Sequence, residues 1–254
     1  MTIERLNEAL AALHGGHAPV PRAEDIFIGD GDYTAIAAEF LSYFVTVAGL
    51  KPDHRVLDIG SGIGRMACGL RLFLDPQRGS YLGFDPVQEG VAWCRQAYAG
   101  QEHFRFEWVD LYNELYKPDG TILSTEFVFP VEASSVDLAI ATSVFTHLYE
   151  PEIAAYLRQT ARALTPEGRL FATAYLHDGD RPAPSDRPHL VFDQQDRDYP
   201  HRWHVEGAPP LSAVCFSEEY FAQLVAENTG RRADIRPGRW RGGPGPWFQD
   251  LVLI

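Results

Sequence analysis

Residues 56–65, Val-Leu-Asp-Ile-Gly-Ser-Gly-Ile-Gly-Arg, run an apolar stretch into three glycines at alternate positions, Gly60, Gly62 and Gly64. A buried strand feeding a turn that opens a helix satisfies this pattern. Glycine reaches backbone conformations closed to other residues and removes the side chains that hold a ligand away from the main chain. Such a turn is a place for a nucleotide-like cofactor. A dinucleotide turn needs G-x-G-x-x-G, and the position three after Gly62 is Arg65, whose side chain would fill the space that a pyrophosphate takes. Pyrophosphate is therefore disfavoured. Asp58, two residues before the first glycine, is expected to face the turn from the strand end and so to suit a cofactor with a positive group.

Apolar strands alternate with helices on either side of that turn. Ile3, Leu6, Leu10 and Leu13 have helical spacing, and a second helix runs from Asp32, a plausible N-cap, to Gly49 with Pro52 beyond it. Strands are predicted at 55–59, 80–84, 104–109, 136–141 and 169–174, with helices at 65–74, 87–99 and 151–164 between them. This alternation implies a parallel sheet with helices on both faces. A helix from Ser217 to about Asn228 and strands at 231–236 and 247–254 close the chain. Residues 176–216 are rich in Pro, Asp, Arg and His and show no helical periodicity, so they are expected to form a lid or mobile loop.

A chain of 254 residues buries enough surface to form one large domain without disulfides or metal. Cys68, Cys94 and Cys215 form no C-x-x-C pair, which fits a reducing cytoplasm and argues against a zinc knuckle. No basic region followed by an apolar core starts the chain, and the longest apolar run is interrupted by Ser42, Thr46 and Gly49, so neither export nor a membrane span is expected. A formal charge of −13 would repel a nucleic-acid backbone. Arg231, Arg232, Arg236, Arg239 and Arg241 form either a basic pocket for a small anion or a solvated loop.

The run Asp58-x-Gly60-x-Gly62-x-Gly64 resembles the first motif of class I S-adenosylmethionine-dependent methyltransferases. The resemblance covers about residues 32–254, except 176–216. It implies an α/β, Rossmann-like, doubly wound seven-stranded sheet with an antiparallel last strand. It also implies one domain over 1–254, with residues 1–49 as an N-terminal helical cap and 176–216 as a substrate-side insertion. The implied cofactor is S-adenosyl-L-methionine, held by Asp58, Gly60, Ser61, Gly62 and Gly64. Asp85, followed by Pro86, stands where the family has its ribose-binding acid, and a carboxylate suits two vicinal hydroxyls because it accepts hydrogen bonds in a fork. Asp85 also fits a helix N-cap. Asp110 and Leu111, after the third strand, match the adenine-binding positions, and Thr142 follows the fourth strand on the same side. Ligands of open α/β sheets lie outside the carboxyl ends of the strands, where these residues would meet. Tyr33 either touches the methionine portion or begins its helix.

The segment Thr142-Ser143-Val144-Phe145-Thr146-His147-Leu148 bears on the chemistry. It lacks the acid or Asn followed by two prolines found in enzymes that methylate base amines, and it lacks the acids of metal-dependent catechol-type enzymes. It is similar to the corresponding run in bacterial methyltransferases acting on small molecules. His147 is then either a general base or a histidine packed at a helix entrance. Tyr199, His201, Trp203 and His204 are candidates for a substrate-side wall, with Phe192 beside them. A metal held by these histidines with His177, His189 and Asp193 is disfavoured, because nothing fixes their spacing. The function implied is methyl transfer to an oxygen or nitrogen of a small acceptor, with no nucleic-acid or membrane partner. A non-catalytic S-adenosylmethionine-binding partner of another methyltransferase is the alternative. A nicotinamide oxidoreductase conflicts with Arg65.

Overall fold

The computed structural model describes residues 2–29, 31–182, 190–209, 211–242 and 245–254. Two compact units divide the chain. The first takes in Met1–Asp110, Ala133–Ile140 and Leu164–Arg169, and the second Leu111–Glu132, Ala141–Ala163 and Leu170–Ile254.

In the first unit, helix α1 (Thr2–His14) buries Leu6, Ala9 and Leu13 and leaves Ile3 exposed. Helix α2 (Tyr33–Thr46) begins where expected, because the Asp32 carboxylate accepts from Ala35 N at 2.7 Å and satisfies one of the open donors of the first turn. Helix α3 (Arg65–Phe73) approaches α2 closely at Gly69, where a β-carbon would lie 3.1 Å from Ala37 O. Strands β1 (Arg55–Ile59), β2 (Ser80–Asp85), β3 (Phe104–Trp108) and β4 (Val136–Ala141) lie in the order β3-β2-β1-β4. Each pair is parallel, with Asp58 level with Gly83 and Asp85 level with Trp108. Helix α4 (Gln88–Ala97) follows β2. Side chains of β1 and β2 are buried almost throughout, as a parallel sheet with both faces covered requires.

In the second unit, helix α5 (Glu150–Ala163) precedes β5 (Leu164–His177), whose residues from Leu170 onward lie in this unit. Helix α5 lies beside α6 (Glu218–Thr229), and Arg158 Nη1 donates to Asn228 Oδ1 at 2.7 Å. Strand β10 (Asp250–Leu253) runs antiparallel to Phe171–Ala174 of β5 and to β9 (Asp234–Arg236), so the antiparallel last strand is present.

One expectation fails in the segment 176–216. It carries three strands, β6 (Phe192–Gln195), β7 (Arg202–Val205) and β8 (Val214–Ser217), where a loop without regular structure was predicted. The described residues accordingly hold ten strands: those of the expected sheet, with β10 antiparallel, and these three. Strand β5 makes the extension possible because it is 14 residues long. Its residues 171–174 pair with β10, and Tyr175–His177 continue past β10 to pair in parallel with β8. Antiparallel β7 and β6 then follow β8. Four-residue strands that pair with distant partners leave too little periodicity to read. Strand 231–236 shortens to three residues, and 247–254 begins only at Asp250.

Candidate functional site

The glycine turn of the first unit is built by its backbone. Gly60, Gly62 and Gly64 have φ of 68°, 55° and 77°, the left-handed region that glycine enters without a β-carbon penalty. Gly60 N and Ser61 N both donate to Phe84 O at 3.0 Å, which holds the turn against the end of β2. A β-carbon on Gly62 would lie 2.9 Å from Ile28 Cγ2, and one on Gly64 would lie 2.8 Å from Cys94 Sγ. Ser61 Oγ is buried and has no hydrogen-bond partner among the described residues.

Asp85 closes the turn from the other side. Its Oδ2 accepts from Gly62 N at 2.7 Å and its Oδ1 from Val87 N at 2.8 Å, so the same carboxylate fixes the glycine turn and the entrance to α4. Burial pushes its pKa up to about 6, against the pull of the two N–H donors. Each oxygen keeps a further lone pair for a ligand hydroxyl. Pro86 follows at once, and its carbonyl accepts from Trp108 Nε1 at 3.0 Å. Val109 N donates to Asp85 O at 3.2 Å, which brings the half-buried Asp110 to the end of β3 beside that of β2.

Two residues of the first unit lie deeper than expected. Asp58 does not open onto the turn: it is fully buried, and its Oδ2 accepts from the Tyr81 hydroxyl at 2.6 Å. Its Oδ1 has no hydrogen-bond partner among the described residues. Burial, with the charge of Asp85 added, raises its pKa to about 7, although the Tyr81 bond acts in the opposite sense. Tyr33 is 4 % exposed and donates its hydroxyl to Ile63 O at 2.9 Å, so it braces the turn from inside and also opens its helix. Arg65 turns away from the glycines: its Nη2 donates to Ile28 O at 3.0 Å and Gly29 O at 2.7 Å.

In the second unit, His147 ends a short 3-10 turn, Phe145–His147. Its Nδ1 lies 2.8 Å from Leu211 O. A carbonyl can only accept, so Nδ1 carries the hydrogen, and Nε2 of the neutral ring is left with a lone pair. Burial lowers the pKa, which keeps the ring neutral. The Tyr116 ring stands edge-on at 5.5 Å. Before this turn comes Thr142, half-buried, and then Ser143 with φ of 58°, an unusual conformation for a residue with a side chain. Ser143 N donates to Thr173 Oγ1 at 2.7 Å, which helps to hold it. Leu111 is buried and bridges to Ile122.

The aromatic and histidine candidates do not form one wall. Side chains alternate along a strand, and β7 directs Trp203 toward Tyr175, Cys215 and Trp240 while Arg202 and His204 take the other face. The centre of that second face is Arg202, which sequence reasoning missed. It is 6 % exposed, pairs with Glu150 at 2.8 Å and Asp196 at 2.7 Å, and lies between the rings of Tyr149 and Tyr199 at 4.0 and 4.4 Å. The Arg202 guanidinium, with the N–H groups of Asp198 and Tyr199, holds the Asp196 carboxyl down at about 2. His201 Nε2 lies 2.6 Å from Glu150 Oε1 and its ring stacks on Tyr220, while His204 Nε2 is 3.6 Å from Asp196 Oδ2. Tyr199 is 49 % exposed, and Phe192 is packed in the Trp240 cluster.

Among the described residues no three His, Cys, Asp or Glu side chains are grouped to hold a metal. His189 lies outside the described residues. Two of the arginines near the C-terminus are engaged in ion pairs: Arg236 with Asp234 at 2.8 Å, and Arg241 with Glu218 at 2.8 Å and Asp250 at 2.7 Å. Asp250 also accepts from Gly238 N, Leu176 N and Trp240 Nε1, so Arg241 serves the seating of β10.

Residues 57–170 match the family described as "Methyltransferase domain". Over those residues, which take in the glycine turn and Asp85, the chain is similar to a methyltransferase domain. Its fold is similar to that of the PH0226 protein from Pyrococcus horikoshii OT3, at 12 % identity and a TM-score of 0.55 over 90 % of this chain and 93 % of that one. It is also similar to that of a SAM-dependent methyltransferase from Leishmania major, at 15 % identity and a TM-score of 0.52, covering 98 % and 83 %. Against the YcgJ protein from Bacillus subtilis the match spans only about half of each chain, 54 % of this one and 51 % of that one, at 21 % identity and a TM-score of 0.40.

The cofactor of this methyltransferase fold is S-adenosyl-L-methionine, and the turn fits such a group. Three left-handed glycines keep side chains off the backbone, and the buried hydroxyl of Ser61 has a hydrogen bond still to make. Among the described residues no helix is long and apolar enough to cross a membrane.

Proposed function

We propose that the protein transfers the methyl group of S-adenosylmethionine to an oxygen or nitrogen of a small-molecule acceptor, with His147 as general base. The observation that carries the base assignment is the His147 Nδ1 hydrogen bond to Leu211 O at 2.8 Å, which leaves Nε2 as the proton acceptor. The cofactor supplies a methyl group already activated on a positive sulfur. The new bond forms between that methyl and the acceptor atom as the carbon–sulfur bond breaks, and the acceptor's proton passes to His147 Nε2. A hydroxyl, which is a weak nucleophile until it loses its proton, profits from such a base more than an amine does, so a base here favours oxygen.

Asp85 is the ribose ligand in this reading, Asp110 and Leu111 serve the adenine, and Gly60, Ser61 and Gly62 border the amino-acid end. The charge of −13 supports an acceptor other than nucleic acid. Three cysteines that are buried and unpaired support a cytoplasmic setting.

His147→Gln and His147→Ala test the base. Turnover with an acceptor found by screening should fall about a hundredfold or more, with affinity for S-adenosylhomocysteine near that of the unaltered protein. An unchanged rate removes His147 from the chemistry. If S-adenosylhomocysteine binds but no acceptor promotes its formation, the regulatory reading replaces the enzymatic one.

A further inference from the structure

Among the described residues Arg65 is a buried cation without a carboxylate partner. It is 8 % exposed, its Nη2 donates to the carbonyls of Ile28 and Gly29, and its Nε has no hydrogen-bond partner among the described residues. Its guanidinium carbon lies 5.8 Å from the centre of the Tyr33 ring. Burying a guanidinium against two carbonyls is a costly way to fill space, since an apolar side chain would pack there without desolvating a charge. What the two bonds accomplish is to fasten residues 27–29.

Those residues lie on the glycine turn. A β-carbon on Gly62 would meet Ile28 Cγ2, and one on Gly90, at the first turn of α4, would meet the Phe27 ring at 2.9 Å and Gly62 O at 2.8 Å. The strap therefore crosses from the turn to the helix that follows Asp85. Phe27 is 38 % exposed and Ile28 half-buried. A short segment fastened mainly by one side chain opens locally at much lower cost than the sheet beneath it.

We propose that Arg65 is a positioning residue that fastens Phe27-Ile28-Gly29 across the glycine turn, and that S-adenosylmethionine and S-adenosylhomocysteine exchange only when this fastening releases. The proposal rests on the turn being the cofactor site. It gives a reason for an arginine directly after the third glycine that the chemistry of methyl transfer does not supply. The bonds hold the strap and not the cofactor, so losing them changes how fast the cofactor exchanges more than how tightly it binds.

The test is stopped-flow association and dissociation of S-adenosylhomocysteine with the full chain and with Arg65→Ala, beside hydrogen exchange of the amides at 26–29. Both rate constants should rise about tenfold while Kd changes less than threefold, and the strap amides should lose protection. Ile28→Ala, which introduces no change of buried charge, should give the same pattern more weakly, and it keeps the test usable if Arg65→Ala does not fold. Rates that stay within twofold overturn the gate. A weaker Kd with an unchanged association rate also overturns it, because it makes Arg65 a ligand of the cofactor. Failure of the unaltered protein to bind S-adenosylhomocysteine removes the cofactor assignment and the gate together, whereas binding with unaltered rates removes the gate alone.

Discussion

Asp58→Asn should make the cofactor-free protein more stable at pH 8 and leave it nearly unaffected, by comparison, at pH 5. The carboxyl is fully buried, with one hydrogen bond from Tyr81 and one oxygen unpartnered, so its ionised form is poorly solvated. Its pKa in the folded protein is about 7, against 3.8 for the free side chain. The native state thus keeps a proton that the unfolded chain has already lost. For an acid shifted upward the sign is fixed: the stabilisation is full below about pH 4 and is lost as pH rises to about 7. Between pH 5 and pH 8 the loss from this one group comes to about 3 kcal/mol. At about 2–4 °C per kcal/mol for a protein of this size, that is a shift in Tm of several degrees or more.

Asparagine keeps an oxygen for the Tyr81 hydroxyl and carries no charge, so the variant lacks this dependence. Asp85, raised to about 6, titrates in both proteins, which is why the quantity to follow is the difference between them. Urea unfolding without cofactor at pH 5, 6.5 and 8 provides it. A gap that widens in favour of the asparagine variant by about 2–4 kcal/mol over that range is expected. A gap independent of pH refutes the reasoning, because the buried carboxyl would then be ionised throughout or would have found a partner.

The remaining expectations concern neighbouring groups. Asp85→Ala orphans Gly62 N and Val87 N, and should weaken binding of S-adenosylhomocysteine by about 1.5–3 kcal/mol as measured by titration calorimetry. An unchanged Kd removes Asp85 from the ribose. Arg202→Met leaves Glu150 buried without its cation and should cost about 3–5 kcal/mol in denaturant unfolding, with part of the loss recovered in Arg202→Met/Glu150→Gln. No recovery in the double variant would mean that the sandwich between Tyr149 and Tyr199, and not the charge pair, holds β7 in place.

The strand-turn-helix at residues 55–73 was legible in the sequence because its causes are local. Apolar residues in a row, glycines where the backbone must turn left-handed, and a cap such as Asp32 act within a few residues, so they read directly from the letters. The alternation that implies a parallel sheet is local in the same sense. The places of Asp85 at the end of β2 and of Asp110 just after β3 were legible in the same way.

Tertiary structure decided the partners. The spacing of Asp58 from its glycines suggested a carboxylate at the turn, but the Tyr81 hydroxyl, on a different strand, makes it an interior group with a raised pKa. Arg65 read as an obstacle to a phosphate, and only the fold sends it to carbonyls 36 and 37 residues earlier. His147 shows the same limit: its sequence names a titratable ring, while Leu211, 64 residues away, determines which nitrogen carries the proton. Strands β6 to β8 were hidden because pairing with the end of β5, and not their own composition, makes them strands. Propensity and turn geometry are properties of neighbours in sequence, whereas burial, hydrogen-bond partner and ionisation state are properties of neighbours in space. For this chain the first set identifies the glycine turn, and the second determines the burial and hydrogen-bond partners of Asp58, Arg65 and His147.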